Sequence, residues 1–248
     1  MRIPIDNVGN VGLVKDIFSH ELPPEAWTAV QNTRMGPHGA EKFLGHSRVL
    51  GSYNYINSGY ATTPDSVNNS ITGDFELRCY LALDDYTPAA YQDIFGKGAG
   101  GGQFSYLFRI NQTNGALYAY WSADGTVLRA ETVSAPAGLV DSLFYGWRVR
   151  VDTDNGAGGS TTRFYIRYDD DIESDSGWFQ VGADQITAGT LAVFNSTALL
   201  EFGKSTYTGN GVVGKLGRAL LYSGLDGAKV LKAECNINEA TVGSTSTW

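Results

Sequence analysis

The chain has 248 residues, of which 42% are hydrophobic and 18% charged, and its formal net charge is −8. This length is enough to bury a core without help from disulfides or metals, and the acidic balance argues against a surface for nucleic acid or anionic membranes. All three histidines, His20, His38 and His46, precede residue 50. Most histidine-based chemistry is therefore excluded from the rest of the chain.

Residues 1–52 show little hydrophobic periodicity. Pro23 and Pro24 disfavour a helix before them, residues 25–30 could form one or two helical turns, and residues 35–40 indicate a turn. Such a stretch rarely folds alone, so we predict an N-terminal arm over residues 1–52 that lies on a partner or along the domain that follows it. Its start lacks the long apolar core of a secretory signal, and we expect no membrane span because no apolar run is long enough.

A long mixed pattern runs through this arm. It reads Gly12-x3-Asp16-x4-Glu21-Leu22-Pro23-Pro24-x2-Trp27-x3-Gln31-Asn32-x-Arg34, followed by a glycine turn and Glu41-Lys42-x2-Gly45-His46. The pattern resembles the opening of tail-tip or nozzle-type virion proteins of short-tailed bacteriophages. The resemblance implies that the arm attaches the chain to a particle through Leu22, Pro23, Pro24, Trp27, Asn32 and Arg34. The alternative for each single position is ordinary packing, with attachment a property of the whole arm.

From residue 53 onward, apolar and polar side chains alternate along several short runs. One apolar face consists of Phe75, Leu77, Cys79, Leu81 and Leu83, and similar runs cover residues 104–110, 147–152 and 164–168. Turn signals lie between the runs, at Asn114-Gly115, Asp124-Gly125, Asp154-Asn155-Gly156 and Asp226-Gly227. Half-buried strands separated by tight turns predict an all-β, antiparallel β-sandwich domain over residues 53–248.

The order of these runs resembles the concanavalin A-like, or laminin-G-like, jelly roll. The matching segments are Asp74-Phe-Glu-Leu, Ile94-Phe-Gly-Lys, Phe104-Ser-Tyr-Leu-Phe-Arg-Ile, Gly115-Ala-Leu-Tyr-Ala-Tyr-Trp-Ser, Trp147-Arg-Val-Arg-Val-Asp, Leu200-Glu-Phe-Gly-Lys and Gly214-Lys-Leu-Gly-Arg-Ala-Leu-Leu-Tyr. The resemblance spans most of residues 60–235. It implies a fold that hosts lectins, glycosidases, adhesion modules and inert scaffolds, so it indicates architecture rather than activity.

The candidate catalytic motifs are incomplete. A glycosidase needs two carboxylates facing one bond, and laminarinase-type relatives carry them as Glu-x-Asp-x-x-Glu. The matching run here is Glu173-Ser174-Asp175, and Trp178 stands where the third acid belongs. A Ser-His-Asp triad or a catalytic cysteine would lack its histidine in the β domain. We therefore predict that the protein is not an enzyme.

Two further features concern cysteines and metals. Cys79 and Cys235 could meet if the first and last strands pair, but two cysteines make no disulfide framework, and we expect two buried thiols. Residues 169–175 and 152–156 offer oxygens to a hard cation such as calcium. Acidic turns are usually only solvated, so we expect no cofactor, with calcium as the alternative.

Sugar binding is the small-ligand function that the aromatic residues favour. The candidate glycan-binding residues are Tyr120, Trp121, Asp124, Tyr207 and Asn210, with Tyr118 beside them in sequence. Consecutive side chains of a strand point to opposite faces, so one of Tyr120 and Trp121 is expected in the core. The alternative for each of these residues is packing or an ordinary turn role.

These observations predict a non-enzymatic structural component of a bacteriophage virion. The arm would bind other virion proteins, in the tail or near the portal, while the jelly roll would face outward and contact host surface glycans. Repeated copies on a symmetric particle would add avidity, so we expect a homo-oligomer. The expected location is the virion, assembled in the host cytoplasm, without nucleic-acid binding or membrane insertion. The alternatives are a free carbohydrate-binding module and a polysaccharide depolymerase of the same fold.

Overall fold

The computed structural model describes residues 56–57 and 60–236. The predicted arm over residues 1–52, with all six of its attachment residues, lies outside this part of the chain. The described residues form two antiparallel sheets that pack face to face. The prediction of an all-β, antiparallel sandwich is therefore confirmed. The described residues contain no helix long and apolar enough to cross a membrane.

Within the described residues, thirteen strands build the two sheets. In chain order they are β1 Ile56–Asn57, β2 Ala61–Thr63, β3 Phe75–Leu83, β4 Gln92–Ala99, β5 Gln103–Ile110, β6 Leu117–Ser122, β7 Leu128–Val133, β8 Tyr145–Asp152, β9 Gly159–Arg167, β10 Phe179–Ala188, β11 Leu200–Phe202, β12 Gly214–Ser223 and β13 Val230–Asn236. Sheet A has the order β1-β12-β3-β8-β9-β10, with β13 also pairing with β12, and sheet B has the order β2-β11-β4-β5-β6-β7. Short 3-10 turns lie at Val67–Asn69 and Asp226–Ala228.

The core lies between the sheets because alternate side chains of each strand point inward. On β3 these are Phe75, Leu77, Cys79, Leu81 and Leu83, the residues that the sequence pattern grouped on one face. Trp121 of β6 and Trp147 of β8 are among the largest fully buried side chains. Burial of this apolar surface is the main force that holds the two sheets together.

The two cysteines lie on either side of one central residue. Cys79 on β3 and Cys235 on β13 are both paired with Ala219 on β12, so they are two strands apart. Two strand spacings amount to roughly 9–10 Å, whereas a disulfide needs Cα atoms within about 7 Å. Both are free thiols, and burial raises the pKa of Cys235 to about 12. The alternative of a disulfide between them is excluded by this geometry.

A buried lysine anchors the connection between β2 and β3. The Lys97 side chain is fully buried, and its Nζ donates to Asp65 Oδ1 at 2.6 Å and to Asn69 Oδ1 at 3.0 Å. The Asn69 amide in turn donates to the carbonyl of Pro64 at 2.9 Å. A buried ammonium is stable only when paired and hydrogen-bonded, so this contact fixes the turn on the sandwich.

Candidate functional site

The site begins with two tyrosines on β6. Leu117, Ala119 and Trp121 of this strand belong to the core, so Tyr118 and Tyr120 lie on the outer surface of sheet B. Both side chains are partly exposed. Their ring centroids are 5.7 Å apart and their planes differ by 13°. The two rings therefore stack in parallel along the strand.

Arg109 and Tyr91 extend this row across neighbouring strands. Arg109 alternates on β5 with the core residues Phe108 and Ile110, which places it on the same outer surface. Its guanidinium carbon lies 5.6 Å from the Tyr120 ring centroid and 4.6 Å from that of Tyr91. We call this row, Tyr118, Tyr120, Arg109 and Tyr91, the tyrosine face.

Asp93 of β4 fixes Arg109 within the row. Asp93 is fully buried, and its two carboxylate oxygens accept from Nε and Nη2 of Arg109, the latter at 3.1 Å. Partial burial alone would lower the pKa of Arg109, but the hydrogen bond and charge of Asp93 raise it above its ordinary value. The guanidinium therefore stays charged, and Nη1 lies on its side away from Asp93. Partial burial also raises the pKa of Tyr120.

The same carboxylate connects the tyrosine face to the loop between β11 and β12. The Thr208 hydroxyl donates to Asp93 Oδ2, and the Asn210 backbone N–H donates to Thr208 Oγ1 at 3.3 Å. Tyr207 is 37% exposed, and its ring packs on Phe104 with centroids 4.7 Å apart. The structure thus links Tyr120, through Arg109, Asp93 and Thr208, with the loop that carries Tyr207 and Asn210.

The prediction of Trp121 as a glycan-binding residue needs a correction. Trp121 is 0% exposed, and the Arg129 guanidinium carbon lies 4.9 Å from its ring centroid. Neighbouring residues of a strand point to opposite faces, and here Trp121 points into the core while Tyr120 points to the surface. Trp121 belongs to the core and cannot stack on a ligand from solvent.

Asp124 has a local role in the turn between β6 and β7. Its Oδ1 accepts from the backbone N–H groups of Thr126 and Val127, both at 2.8 Å, and from the Thr126 hydroxyl at 2.9 Å. These backbone bonds, with those from the hydroxyls, lower the pKa of Asp124 to about 2. A carboxylate that caps its own turn has less capacity left for a sugar hydroxyl.

The outer surface of sheet A carries a layer of buried charges, with aromatic rings packed on its arginines. Glu76 and Arg78 of β3 are fully buried there, beneath residues 169–178 between β9 and β10. Glu76 contacts Arg78, Arg148 at 2.7 Å and Arg150 at 3.2 Å. The Trp178 ring centroid lies 5.2–5.7 Å from the guanidinium carbons of Arg78, Arg148 and Arg167. Residues 169–178 are thus packed on the sheet, whereas the sequence indicated a solvated acidic turn.

The two acids of the Glu-x-Asp run take part in this charged layer. Glu173 pairs with Arg218, and Asp175 pairs with Arg78 and Lys229. Partial burial alone would raise the pKa of Asp175, but hydrogen bonds from Lys229 and Arg78 lower it to about 2. The Asp175 carboxylate is therefore a paired anion rather than a proton donor.

The carboxylates of the two acidic loops are engaged with protein groups. In residues 152–156, Asp154 Oδ1 accepts from the Gly156 N–H at 3.2 Å, and Asn155 Oδ1 accepts from the Ala157 N–H at 2.9 Å. Residues 169–175 are held by the arginines described above. Within residues 56–57 and 60–236, no three His, Cys, Asp or Glu side chains lie close enough to hold a metal ion.

Sequence reasoning missed Tyr91, Asp93, Arg109 and Thr208. Arg109 stood at a polar position of a recognised alternating run, which was a usable signal. Asp93 lies directly opposite Arg109 in the β4–β5 register, and that register is interrupted by bulges between Asp93 and Phe95 and between Lys97 and Gly98. Because a bulge shifts every cross-strand partner, the sequence could not place these two charges together.

No protein-family model and no curated protein matches the chain. Among solved structures, the chain is similar to the CBM40 domain of the Ruminococcus gnavus IT-sialidase, determined with α2,3-sialyllactose, at TM-score 0.44 and 11% identity over 70% of this chain and 95% of that one.

Two other solved structures are similar at the same level. The enzymatically active domain of bacteriophage CBA120 tailspike protein 2 has TM-score 0.47 and 11% identity over 75% of this chain and 33% of that one. The SAP-like pentraxin of Limulus polyphemus has TM-score 0.41 and 8% identity over 67% of this chain and 77% of that one. These values are too low to transfer a ligand or an activity to this chain.

Proposed function

We propose that this protein is a non-enzymatic, glycan-binding structural component of a bacteriophage particle. The tyrosine face is the observation that supports glycan binding. Its parallel rings offer faces and edges to the C–H groups of a pyranose, and Arg109 Nη1 and the tyrosine hydroxyls lie beside them as hydrogen-bonding groups. The Asp93–Arg109 pair orients this surface before a ligand arrives, which lowers the entropy cost of binding.

The pattern Leu22-Pro23-Pro24-x2-Trp27 and its neighbours supports the virion role. It lies outside the described residues, so the role rests on the resemblance in sequence. The residues before Ile56 join the sandwich at β1, which pairs with β12 at one edge of sheet A. The tyrosine face lies on the other sheet, on strands β4 to β6. The first described strand and the tyrosine face therefore lie on different sheets of the domain.

The ion pairs of Glu173 and Asp175 support a non-enzymatic role. A glycosidase acid must hold a proton near neutral pH, and its partner must face the same bond. Asp175 instead has a pKa of about 2 and contacts Arg78 and Lys229. A polysaccharide depolymerase would thus need a different pair of acids. Release of reducing ends from bacterial surface polysaccharides by the purified chain would contradict the non-enzymatic proposal.

Glycan binding can be tested with the full-length chain on an array of bacterial surface glycans. The variant Tyr118→Ala/Tyr120→Ala removes both stacking rings and should lower the affinity for the selected glycan about tenfold. Val230→Ala truncates an exposed apolar side chain on β13 of sheet A and should bind as the parent does. Equal affinity of the tyrosine variant and the parent would show that the tyrosine face is not the site.

A free carbohydrate-binding module is the second candidate, because the same surface would serve it. The two candidates differ only in whether the chain belongs to a particle. Mass spectrometry of purified phage particles from a lysate that contains the chain separates them. A stoichiometric amount in the particles supports the virion role, and presence only in the soluble fraction supports the free module.

A further inference from the structure

A cleft of about 580 Å³ opens between β7 and β10, the edge strands of sheets B and A. The buried side chains of Val133, Ile166 and Val181 contribute to its lining. Gly182 sets its shape, because its φ is +70° and an added Cβ would lie 2.8 Å from Val133 Cγ1. The close approach of the two sheet edges therefore requires glycine at this position.

Two exposed aromatic rings stand at the rim of this cleft. Tyr168 and Phe179 are each 60% exposed, and their ring centroids are 5.8 Å apart at an angle of 60°. Buried Tyr145 holds Tyr168 from the core side with an edge-on contact at 5.7 Å. Adjacent large rings exposed to water usually mark an interaction site. The pair forms an angled platform that is ordered before any ligand binds.

One glutamine amide lies on the cleft side of β10. Gln185 pairs with Thr162, which in turn lies opposite the core residue Val151, so Gln185 faces inward at the sheet edge. Its Nε2 donates to the Ala183 carbonyl at 2.8 Å, and this bond orients the amide. No described residue donates to Gln185 Oε1, so this atom can accept a hydrogen bond from a ligand hydroxyl.

The lining of the cleft contains no charged residue. None of the fourteen lining residues is Asp, Glu, Lys or Arg, although 18% of the chain is charged. Asp184 lies next to the lining, but Arg163 Nε donates to it at 2.8 Å and offsets its charge. A charged ligand would lose hydration here without gaining a counter-charge, which is unfavourable. The cleft therefore suits a neutral, hydroxyl-rich ligand.

We propose that the β7–β10 cleft binds a neutral oligosaccharide, independently of the tyrosine face. The C–H face of a pyranose stacks on the Tyr168–Phe179 platform, and one of its hydroxyls donates to the amide oxygen of Gln185. The site is at the edge of sheet A farthest from β1, where residues 1–55 join the sheet. Two separate glycan sites on one domain would let the chain hold a polysaccharide at two points and gain avidity.

Methyl NMR of the full-length chain can test this proposal. Titration with neutral hexaoses built from glucose, mannose or galactose should shift the methyl signals of Val133 and Val181 for at least one sugar. The Ala130 methyl, opposite Tyr120 on sheet B, reports separately on the tyrosine face. Phe179→Ala should weaken the shift at the valines about tenfold in affinity, and Tyr118→Ala/Tyr120→Ala should leave it unchanged. Ile186→Ala, 70% exposed on β10 but outside the cleft, is the matched control.

Four outcomes would overturn the proposal. The first is that no neutral hexaose shifts the valine methyls. The second is tighter binding of an acidic hexamer such as hexagalacturonate at the same methyls. The third is equal affinity of Phe179→Ala and the parent. The fourth is a valine shift that follows protein concentration alone, which would show that a second copy of the chain occupies the cleft. Failure of the tyrosine face would appear at Ala130 and leave these results unaffected.

Discussion

At the scale of single residues, Asp93 has the largest influence on the candidate site. The two oxygens of its buried carboxylate accept hydrogen bonds from Nε and Nη2 of Arg109, and Oδ2 also accepts one from the Thr208 hydroxyl. Removal of the charge leaves the Arg109 guanidinium without its partner in a site where only 10% of that side chain is exposed. Breaking a buried pair costs more than the pair contributes, because the remaining charge is desolvated.

Asp93→Asn should therefore affect both stability and binding. We expect a loss of roughly 2–4 kcal/mol in the free energy of unfolding and a weaker glycan affinity, since Arg109 no longer stays between Tyr91 and Tyr120. Urea denaturation and the array titration measure the two effects. Thr208→Val is the control, because it removes one hydrogen bond but keeps the ion pair. Unchanged stability of Asp93→Asn would contradict the role assigned to this carboxylate.

Asp124 allows a second test at this scale, with a pH dependence. Its pKa is about 2 in the folded chain, below the ordinary value of 3.8. Because the pKa is lower in the folded chain, the ionised carboxylate stabilises the fold at pH values above its pKa in the unfolded chain. This contribution is lost as the pH falls from about 4 to 2. Asp124→Ala should lower the melting temperature at pH 7 and match the parent near pH 2.

Asn can accept the same backbone hydrogen bonds, so Asp124→Asn should keep most of the stability at pH 7. Neither variant should alter glycan affinity, because Asp124 lies in the β6–β7 turn and is not part of the tyrosine face. A large loss of affinity in Asp124→Asn, with its stability preserved, would restore Asp124 to the binding site.

Such residue roles show what the sequence could and could not predict. Alternation predicted which face of β3 and β5 is buried, because the period of a strand is a local property. It also predicted that Tyr120 and Trp121 diverge, although not which one is outside. The partners of Arg109 depend on the bulged register of β4, and the partners of Asp175 depend on how a distant loop packs. These contacts are long-range, and one sequence does not encode them in any short pattern.

At the scale of elements, residues 169–178 behave as a cover for sheet A. Arg78 Nη1 donates to the carbonyls of Ile172 at 2.8 Å and Glu173 at 2.7 Å, and Trp178 Nε1 donates to the Ser174 carbonyl at 2.8 Å. One buried arginine thus supplies the hydrogen bonds that the loop backbone needs away from water. Glu76 neutralises that arginine and is central to the layer.

Glu76→Gln should be strongly destabilising, because Arg78 and Arg148 would remain buried with only the exposed carboxylate of Asp175 as a counter-charge. We expect a loss of roughly 3–5 kcal/mol in the free energy of unfolding, measured by urea denaturation. Glu234→Gln changes a partly exposed acid that pairs with Arg218, and it should cost less than about 1 kcal/mol. Similar losses in the two variants would show that the buried layer has no special weight in stability.

At the scale of the whole molecule, the described domain has two candidate glycan-binding surfaces, and its first and last strands both pair with β12. The tyrosine face lies on the outside of sheet B and the β7–β10 cleft lies at one edge of the sandwich. Residues 1–55 enter at β1 and residues 237–248 follow β13, and both strands pair with the same edge of β12. The core that holds these surfaces is formed by residues of the described domain, so the domain should fold without the arm.

Deletion of residues 1–52 tests this division of roles. The shortened chain, which begins at Tyr53, should be soluble, unfold cooperatively and bind the selected glycan with unchanged affinity, because the strands and both surfaces are retained. In complementation of a phage that lacks the intact chain, it should be absent from purified particles. Deletion of residues 237–248 is the matched control for the loss of a terminal segment, and it should still be incorporated. Normal incorporation of the chain that begins at Tyr53 would show that the arm is not the attachment segment, and the virion role would then have to rest on the sandwich itself.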